Sequence, residues 1–238
     1  MLSRILTTIL FAAVSFGVVA ISPPAPTIQP PPEGHLFLVG GGKIPDHVRS
    51  EFFRLSHGGP IVVIPTALEK PEQAKFSYPH TILHTTNRRE CFHADFYKPL
   101  DNAKAVWICG GDQSRLTVYS GTPVQRHLKY VVDRGGVVGG TSAGASAASG
   151  VMMHEGDALN GLGLMNDYVV DQHFSNRSRL PRLLNLLEKY PRLKGIGIDE
   201  ETAIVVGQRN IVVVGNGNVK VCNRGVIYTY HDGDVIER

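Results

Sequence analysis

Gly139-Gly140-Thr141-Ser142-Ala143-Gly144-Ala145-Ser146 is the stretch that decides the fold. It follows the apolar pair Val137-Val138 and opens a run of small residues, which is typical of a buried strand, a tight turn and a helix. Ser142 lies at the reversal in the pattern G-x-S-x-G, where glycines suit a strained turn with backbone passing close by. There its hydroxyl projects from the turn, and the N–H of Ala143 faces the same space, as an oxyanion site requires. The alternative is an ordinary helix start rich in Gly, Ala and Ser.

Short apolar runs separated by helical patterns precede this turn. The predicted buried strands are His35–Val39, Ile61–Ile64 and Ala105–Cys109, and the predicted helices are Asp46–Leu55 and Pro123–Arg134. Strands that are apolar throughout and alternate with helices predict an α/β fold with a mainly parallel sheet covered on both faces. Residues 66–104 are predicted to form loops with a helix and room for one strand.

The carboxyl ends of parallel strands meet at one edge of a sheet, where ligands bind. The loops Gly40–Gly42 and Gly110–Gln113 each follow a predicted strand, as Ser142 does. We therefore expect these three segments to lie together. The triple glycine matches neither a dinucleotide-binding nor a P-loop pattern, so nucleotide binding is a minor alternative.

The C-terminal third is predicted to be richer in strands. Tyr168–Asp171 is a strand followed by polar residues, and a helix is predicted from Arg177 to Lys189. The run Ile196–Val206 reads as one strand with acids in its middle. Three further runs are predicted to be antiparallel strands at the sheet edge: Ile211–Val214, Val219–Cys222 and Val226–Tyr230.

Composition excludes several classes of function. The formal net charge of +3 over 238 residues, without a basic run, argues against nucleic acid as a partner. The three cysteines are far apart in sequence and form no C-x-x-C, so neither a zinc site nor a disulfide framework is indicated. The ten histidines form no H-E-x-x-H pattern. No metal and no cofactor are expected.

The N-terminus differs in kind from the rest. Arg4 precedes an uncharged stretch from Ile5 to Ile21, and Val18-Val19-Ala20 resembles a small-residue cleavage site. This layout predicts a signal peptide over residues 1–21 and therefore an exported protein, periplasmic or secreted. A retained membrane anchor is the alternative. The proline-rich residues 22–34 are predicted to be a linker, and residues 35–238 a single domain.

A nucleophilic serine needs a base and a group that orients the base. Asp171-Gln172-His173 offers a histidine directly after a strand, and Asp199-Glu200-Glu201 offers acids that need a partner or solvent. Either Glu200 or Asp199 could orient the imidazole. The resulting order of serine, histidine and acid argues against an ordinary esterase or lipase, where the acid precedes the histidine.

Three arginines follow the histidine: Arg177, Arg179 and Arg182. Guanidinium groups beside a nucleophile suggest recognition of a carboxylate, and Arg179 and Arg182 are predicted to share a helical face. A solvated basic helix face is the alternative.

The motifs together closely resemble the serine peptidase family that contains cyanophycinase and aspartyl dipeptidase (dipeptidase E). The resemblance covers most of residues 35–221 and rests on four stretches: G-G-D-Q at 110–113, G-T-S-A-G at 140–144, D-Q-H-F-S-N-R-x-R-L-x-R at 171–182 and G-I-D-E-x-T-A at 197–203. It implies an α/β sandwich related to class I glutamine amidotransferases, with Ser142 at a nucleophile elbow.

The resemblance also implies roles for single residues. Ser142 matches the nucleophile, His173 the base and Glu200 the third member, while the N–H groups of Gly111 and Ala143 match the oxyanion hole. Six positions match residues that line the substrate pocket: Gln113, Asp171, Gln172, Arg177, Arg179 and Arg182.

The family's substrates are aspartyl peptides. Cyanophycin is a poly-aspartate chain with arginines on its β-carboxyls, and cyanophycinase releases β-Asp-Arg dipeptides from it; dipeptidase E cuts short peptides with N-terminal aspartate. The arginine-rich motif favours the cyanophycinase side, with arginines holding substrate carboxylates and acids such as Asp171 holding the substrate guanidinium. Family members are often dimers, so a homodimer is a further expectation. A non-catalytic exported binding protein is the alternative of another class.

Overall fold

The structure, a computed structural model, describes residues 33–154 and 157–238. The predicted signal peptide and the linker as far as residue 32 lie outside the described residues, so both stay predictions. Among the residues described, no helix is long and apolar enough to span a bilayer.

The helices and strands follow one another in the order expected for an α/β chain with a β-rich end. The first part contains β1 (His35–Val39), α1 (Asp46–Leu55), β2 (Ile61–Ile64), β3 (Thr81–Ile82), α2 (Ala94–Tyr97), β4 (Ala105–Ile108), α3 (Pro123–Asp133), β5 (Val137–Thr141) and α4 (Ala143–Ser146). The second part contains β6 (Val151–His154), β7 (Asp157–Asn160), β8 (Tyr168–Gln172), α5 (Leu180–Lys189), β9 (Lys194–Ile198), β10 (Thr202–Val206), β11 (Asn210–Gly215), β12 (Val219–Asn223), β13 (Val226–Tyr230) and β14 (Val235–Glu237).

A central sheet in the order β14-β11-β10-β1-β5-β4-β2-β3 carries the fold. The five strands β1, β5, β4, β2 and β3 are parallel to one another, whereas β10, β11 and β14 are added antiparallel on the other side of β1. The prediction of a mainly parallel α/β sheet is confirmed. The inner parallel strands are buried along almost their whole length, which explains their continuous apolar runs.

Helices cover both faces of this sheet. On one face, Phe52 of α1 packs edge-to-face against Phe37 and Trp107. On the other face, Val124 and Leu128 of α3 belong to a larger core that also takes in α4. The apolar residues of each helix lie at helical spacing, so each helix buries one stripe against the sheet.

The β-rich end does not form a single edge of the central sheet, which corrects two sequence expectations. A second sheet has the order β13-β12-β9-β8, and β6 pairs with β7 as a separate hairpin. The run Ile196–Val206, expected to be one strand, is two strands in different sheets, β9 and β10. The acids at 199–201 form the turn between them, because a turn places carboxylates where partners reach them and a buried strand does not.

The expected helix from Arg177 begins later, at Leu180. Ser178 has a φ of 49°, which a helix cannot contain, and Pro181 fits the first turn of a helix but not its interior. Arg177 therefore precedes α5, and Arg179 is its N-cap residue, whose C=O accepts from Leu183 N–H at 3.2 Å. Arg179 and Arg182 point to the same side, since both bind Asp171.

Candidate active site

Ser142 lies on a sharp turn between β5 and α4. Its φ of 53° and ψ of −115° place it in a backbone region that L-residues rarely adopt. The N–H of Ser142 donates to Val39 O at 2.9 Å, and this hydrogen bond holds the turn in place. A side chain at Gly144 would lie 2.2 Å from Ile108 O, so only glycine lets α4 pass this close to β4.

His173 follows β8 directly and faces Ser142. Its N–H donates to Gly40 O at 2.7 Å, which fastens the end of β8 to the loop after β1. Its Nε2 lies 2.9 Å from Ser142 Oγ, across 31 positions of sequence. The residue itself has a φ of 49°, so both members of this pair are in strained backbone conformations.

Glu200, and not Asp199, faces the imidazole. Glu200 Oε1 lies 2.6 Å from His173 Nδ1. Asp199 instead accepts hydrogen bonds from the N–H groups of Ser175 and Asn218, at 2.8 and 3.1 Å. The turn between β9 and β10 thus separates a structural acid from one that contacts the histidine.

The loop Gly40–Gly42 forms the support beneath these side chains. Gly40 N–H donates to Thr202 O at 2.9 Å, and Gly41 O accepts from Glu201 N–H at 3.0 Å. A side chain at Gly42 would lie 2.9 Å from Glu200 Cβ. The glycines are therefore used for close packing against the site, and no open phosphate loop is formed.

Burial lowers the pKa of His173 below its ordinary value of 6.5. The hydrogen bond and charge of Glu200 raise the pKa, and the charges of Arg177 and Arg179 lower it. The net direction is downward, so the imidazole is neutral at neutral pH and is able to accept a proton.

A chain of amides runs from Ser142 to the hairpin. The Ser142 hydroxyl lies 3.2 Å from Gln172 Oε1, and Gln172 Nε2 donates to Gln113 Oε1 at 3.3 Å. Gln113 Nε2 donates to Met153 O. This chain ties the serine to β6 and fixes both glutamine side chains, which are buried.

The sequence predicted that Asp171 holds a substrate guanidinium, but in the structure its carboxylate is buried. Its side chain is 1% exposed and accepts from Arg179 Nη1 at 3.3 Å and Arg182 Nε at 2.8 Å. Arg179 also donates to Gln172 O at 2.6 Å. Because its carboxylate is buried and paired with the protein's own arginines, Asp171 positions Arg179 and Arg182.

The three arginines are therefore not equivalent. Within the described residues, Arg177 has no carboxylate within 4.0 Å, whereas Arg179 and Arg182 are paired with Asp171. Arg177 is exposed, and its N–H donates to His173 O at 3.0 Å, so it lies one turn from the histidine. Of the three, Arg177 is the arginine that is free to bind an anion.

A pocket of about 380 Å³ lies beside Ser142 and the three arginines, at the carboxyl edge of the central sheet. The expected site residues in its wall are Gly111, Gln113, Ser142, Gln172, Arg177, Arg179 and Arg182. The segments after β4 and β5 line this pocket, and the segment after β1 packs against His173 and Glu200 next to it. Sequence reasoning missed four residues of the wall: Asp112, Ser114, Met153 and His154.

Asp112 lies within the recognised G-G-D-Q stretch, so that signal was present in the sequence. Its Oδ1 accepts from the N–H and the hydroxyl of Ser114, at 2.9 and 2.6 Å, and these bonds lower its pKa. Asp112 is thus a fixed negative charge, with its side chain 47% exposed. Met153 and His154 had no sequence signal, because only folding brings the β6–β7 hairpin to the pocket.

Two backbone N–H groups expected to face an oxyanion lie beside the serine. Ala143 is the first residue of α4, where an N–H has no partner within the helix, and Gly111 lines the pocket with a φ of 136°. A side chain at Gly110 would lie 3.1 Å from Ser142 Cβ, which shows how closely the loop after β4 approaches the serine.

Members of one peptidase family are similar in sequence to this chain. The model of the family described as Peptidase family S51 matches residues 36–214. A cyanophycinase of Geminocystis herdmanii is 31% identical over 198 residues, which cover 71% of this chain and 73% of the relative. A cyanophycinase of Trichormus variabilis is 38% identical over 138 residues, 52% of this chain and 46% of the relative, so the match spans less than half of that protein.

A solved structure shares the fold. The crystal structure of a peptidase from an acI-B1 Actinobacterium has a TM-score of 0.73, with 24% sequence identity, and covers 87% of this chain and 97% of its own. At this identity the likeness shows the fold alone.

Proposed function

Because the chain belongs to peptidase family S51 and is a serine-type peptidase of the cyanophycinase-like kind, we propose that it hydrolyses cyanophycin to β-Asp-Arg dipeptides. The observation that carries this proposal is the contiguous array of Glu200 Oε1, His173 and Ser142 Oγ, joined at 2.6 and 2.9 Å. Such an array serves acyl transfer, since it combines a nucleophile, a neutral base and an orienting carboxylate.

In the first step, Ser142 Oγ attacks an aspartyl carbonyl carbon of the substrate. His173 Nε2 takes the hydroxyl proton as the new C–O bond forms, and Glu200 stabilises the resulting imidazolium through Nδ1–H. The N–H groups of Gly111 and Ala143 bind the oxyanion. The C–N bond then breaks, and the leaving amine receives the proton from His173.

The second step returns the enzyme to its starting state. His173 takes a proton from a water molecule, which attacks the acyl carbon held on Ser142. The ester bond breaks, the carboxylate product leaves, and the proton returns to Ser142 Oγ. Every proton transfer passes through the imidazole of His173. Because its pKa is lowered, the imidazole is unprotonated near neutral pH and is ready to act as the base.

Substrate recognition divides between two opposite charges in the pocket wall. Arg177 is unpaired within the described residues and binds a substrate carboxylate. Asp112, rather than the buried Asp171, binds the guanidinium of the substrate arginine: Ser114 holds its Oδ1, and in the part of the chain that the structure describes its Oδ2 has only a long, exposed contact with Arg115 Nε at 3.7 Å. Arg179 and Arg182, anchored on Asp171, form the wall between nucleophile and hairpin.

The test is analysis of products by mass spectrometry after the purified chain is incubated separately with cyanophycin and with a set of Asp-X and isoaspartyl dipeptides. Release of β-Asp-Arg from the polymer is expected. Cleavage of the short peptides alone would replace the proposal with an aspartyl dipeptidase. Failure of Ser142 to react with a fluorophosphonate probe, together with no cleavage, would favour the non-catalytic binding protein.

Export is also proposed, and it rests on the sequence of residues 1–21 alone. Mass spectrometry of the intact protein recovered from a bacterial host should give an N-terminus after Ala20 or close to it, in the periplasmic or medium fraction. An uncleaved N-terminus in the membrane fraction would indicate an anchor, and an uncleaved one in the cytoplasm would refute export.

A further inference from the structure

A separate cavity of about 300 Å³ lies on the face of the central sheet that α1 covers. Five aromatic side chains line it: Phe37 from β1, Phe52 and Phe53 from α1, Trp107 from β4 and Phe76 from the segment between β2 and β3. Phe37, Phe52 and Trp107 are at most 8% exposed. Among the described residues, this aromatic cavity shares no wall with the pocket beside the nucleophile, so the proposed peptidase mechanism does not use it.

The rings of the aromatic cavity hold one another in place. Phe52 contacts Phe37 and Trp107 edge-to-face, with ring centroids 5.8 and 4.9 Å apart. The ring of Phe76 lies 5.9 Å from that of Phe53 and 6.3 Å from that of Trp107. The wall is therefore preformed and apolar. The substrate proposed above carries carboxylate and guanidinium groups, and burying those against rings would cost free energy, so the cavity suits a different molecule.

Both charged side chains that line the aromatic cavity are positive. They are Arg49 of α1 and Lys75, next to Phe76, and no acid is found in the part of the wall that the structure describes. Lys75 is exposed, and no described carboxylate lies within 4.0 Å of its ammonium group. An anionic group at this end of the cavity therefore meets two cations and no competing negative charge in the wall.

The guanidinium of Arg49 is fixed at the cavity by the backbone. Its Nη2 donates to Ile44 O at 3.1 Å, and Ile44 also lines the cavity. Its acidic neighbour is Asp46, with Oδ1 at 3.5 Å from Nη2, and the Asp46 side chain is 95% exposed. Because so exposed an ion pair is weak, Arg49 keeps charge and N–H donors for a ligand.

We propose that the aromatic cavity binds a small carboxylate with an apolar body. The body packs against Phe52, Phe76 and Trp107, and the carboxylate is held by Arg49 and Lys75. The volume is at the lower end of the range for small-molecule pockets, which fits one ring and a short chain but not a peptide. Aromatic walls also attract cations, but the two basic side chains of the wall repel a cationic ligand.

The test uses Trp107 as the reporter, since it lines the cavity and is the one tryptophan of the sequence. Purified full-length chain is titrated with phenylbutanoate, with the neutral phenylbutanamide and with the cationic phenylbutylammonium, while tryptophan fluorescence is measured. Phenylbutanoate should give a saturable change and bind about tenfold more tightly than the amide. The ammonium compound should bind more weakly than the amide. No saturable change, equal binding of acid and amide, or tighter binding of the ammonium compound overturns the proposal.

Single substitutions then locate the carboxylate. Arg49→Gln and Lys75→Gln should each weaken phenylbutanoate binding by about threefold and leave amide binding unchanged, which also shows that the cavity is intact. Arg54→Gln is the matched control on α1, because Arg54 pairs with Glu51 and does not line the cavity. Arg177→Gln should likewise have no effect. If phenylbutanoate binding is lost in Arg177→Gln, or is unchanged in both cavity variants, the carboxylate binds elsewhere and the proposal is refuted.

Discussion

Gly41 lies directly beneath the imidazole of His173. A side-chain carbon on Gly41 would be 2.3 Å from His173 Cε1, and Gly41 has a φ of 111°. The triple glycine after β1, which the sequence left without an assigned role, is therefore the floor on which the histidine rests. No other residue fits there without moving the imidazole away from Ser142.

Gly41→Ala should lower kcat by about 10²-fold or more, because displacing a catalytic group by about 1 Å has that effect. Gly58→Ala is the control: Gly58 also has a positive φ, 67°, but nothing lies within 4 Å of the added carbon. The control should lose about 1 kcal/mol of unfolding free energy and keep its activity. Equal activity in both variants would show that Gly41 does not position His173. Steady-state kinetics and thermal melts measure both effects.

Ser142 stores backbone strain that a glycine would release. Ser142→Gly and Ser142→Ala both remove the hydroxyl, so both should lower peptidase activity by at least about 10³-fold. They differ only in the Cβ carried at a φ of 53°. Ser142→Gly should therefore be more stable than Ser142→Ala by about 1 kcal/mol in denaturant unfolding. Equal stabilities would mean that the elbow is unstrained.

On the acid side of the pH profile, kcat/KM falls as the base of the free enzyme becomes protonated. The midpoint of this fall should lie below pH 6.5, because the pKa of His173 is lowered from that value. Protonation of His173 removes the base, and its lowered pKa moves this loss to lower pH. Glu200→Gln replaces a charged hydrogen-bond acceptor by a neutral one and so removes the charge that raises this pKa; the midpoint of the fall in kcat/KM should therefore move still lower while kcat falls. If the midpoint of this fall is unchanged in Glu200→Gln, Glu200 and His173 are not in direct contact. Asp199→Asn cannot serve as a control, because Asp199 holds two backbone N–H groups.

Asp171→Asn should reduce stability, because it leaves Arg179 and Arg182 without their buried counter-charge. Breaking a buried ion pair from one side costs about 3 kcal/mol. Asp133→Asn breaks an exposed pair with Lys129, whose side chains are 48% and 65% exposed, and should change stability by less than about 1 kcal/mol. Urea unfolding of both variants distinguishes the two cases. Equal losses would mean that Asp171 is not an anchor.

Asp112→Asn should lower kcat/KM for substrates that carry an arginine and leave kcat/KM for other aspartyl peptides unchanged. Loss of a charged hydrogen bond to the substrate guanidinium lowers kcat/KM for β-Asp-Arg bonds by about tenfold. Isoaspartyl peptides without a basic side chain should be cleaved as before. Asp46→Asn, which removes an exposed carboxylate on α1, should change neither value. An equal loss on basic and neutral peptides would remove Asp112 from substrate selection.

The sequence alone was enough for the inner parallel strands β1, β2, β4 and β5 and for the helices α1 and α3. Apolar runs such as Ile61–Ile64 predict buried strands because a parallel sheet covered on both faces is apolar throughout. Predictions for α1 and α3 succeeded for the same reason, since each has one apolar stripe. The pattern failed at residues 196–206, where a short turn between two strands of different sheets leaves the apolar run almost uninterrupted.

The chain order and residue types determined that Ser142 and His173 both follow strands, and hence that they share an edge of the fold. Only the tertiary structure decided which charges are free. Asp171 and Asp112 look alike in sequence, as do Arg177 and Arg179, but Asp171 is buried and paired with Arg179, whereas Arg177 lines the pocket and Asp112 lies there half-exposed, with Arg115 Nε at 3.7 Å. Whether a charge is available depends on the partner and solvent around it, and distant segments of the chain supply both.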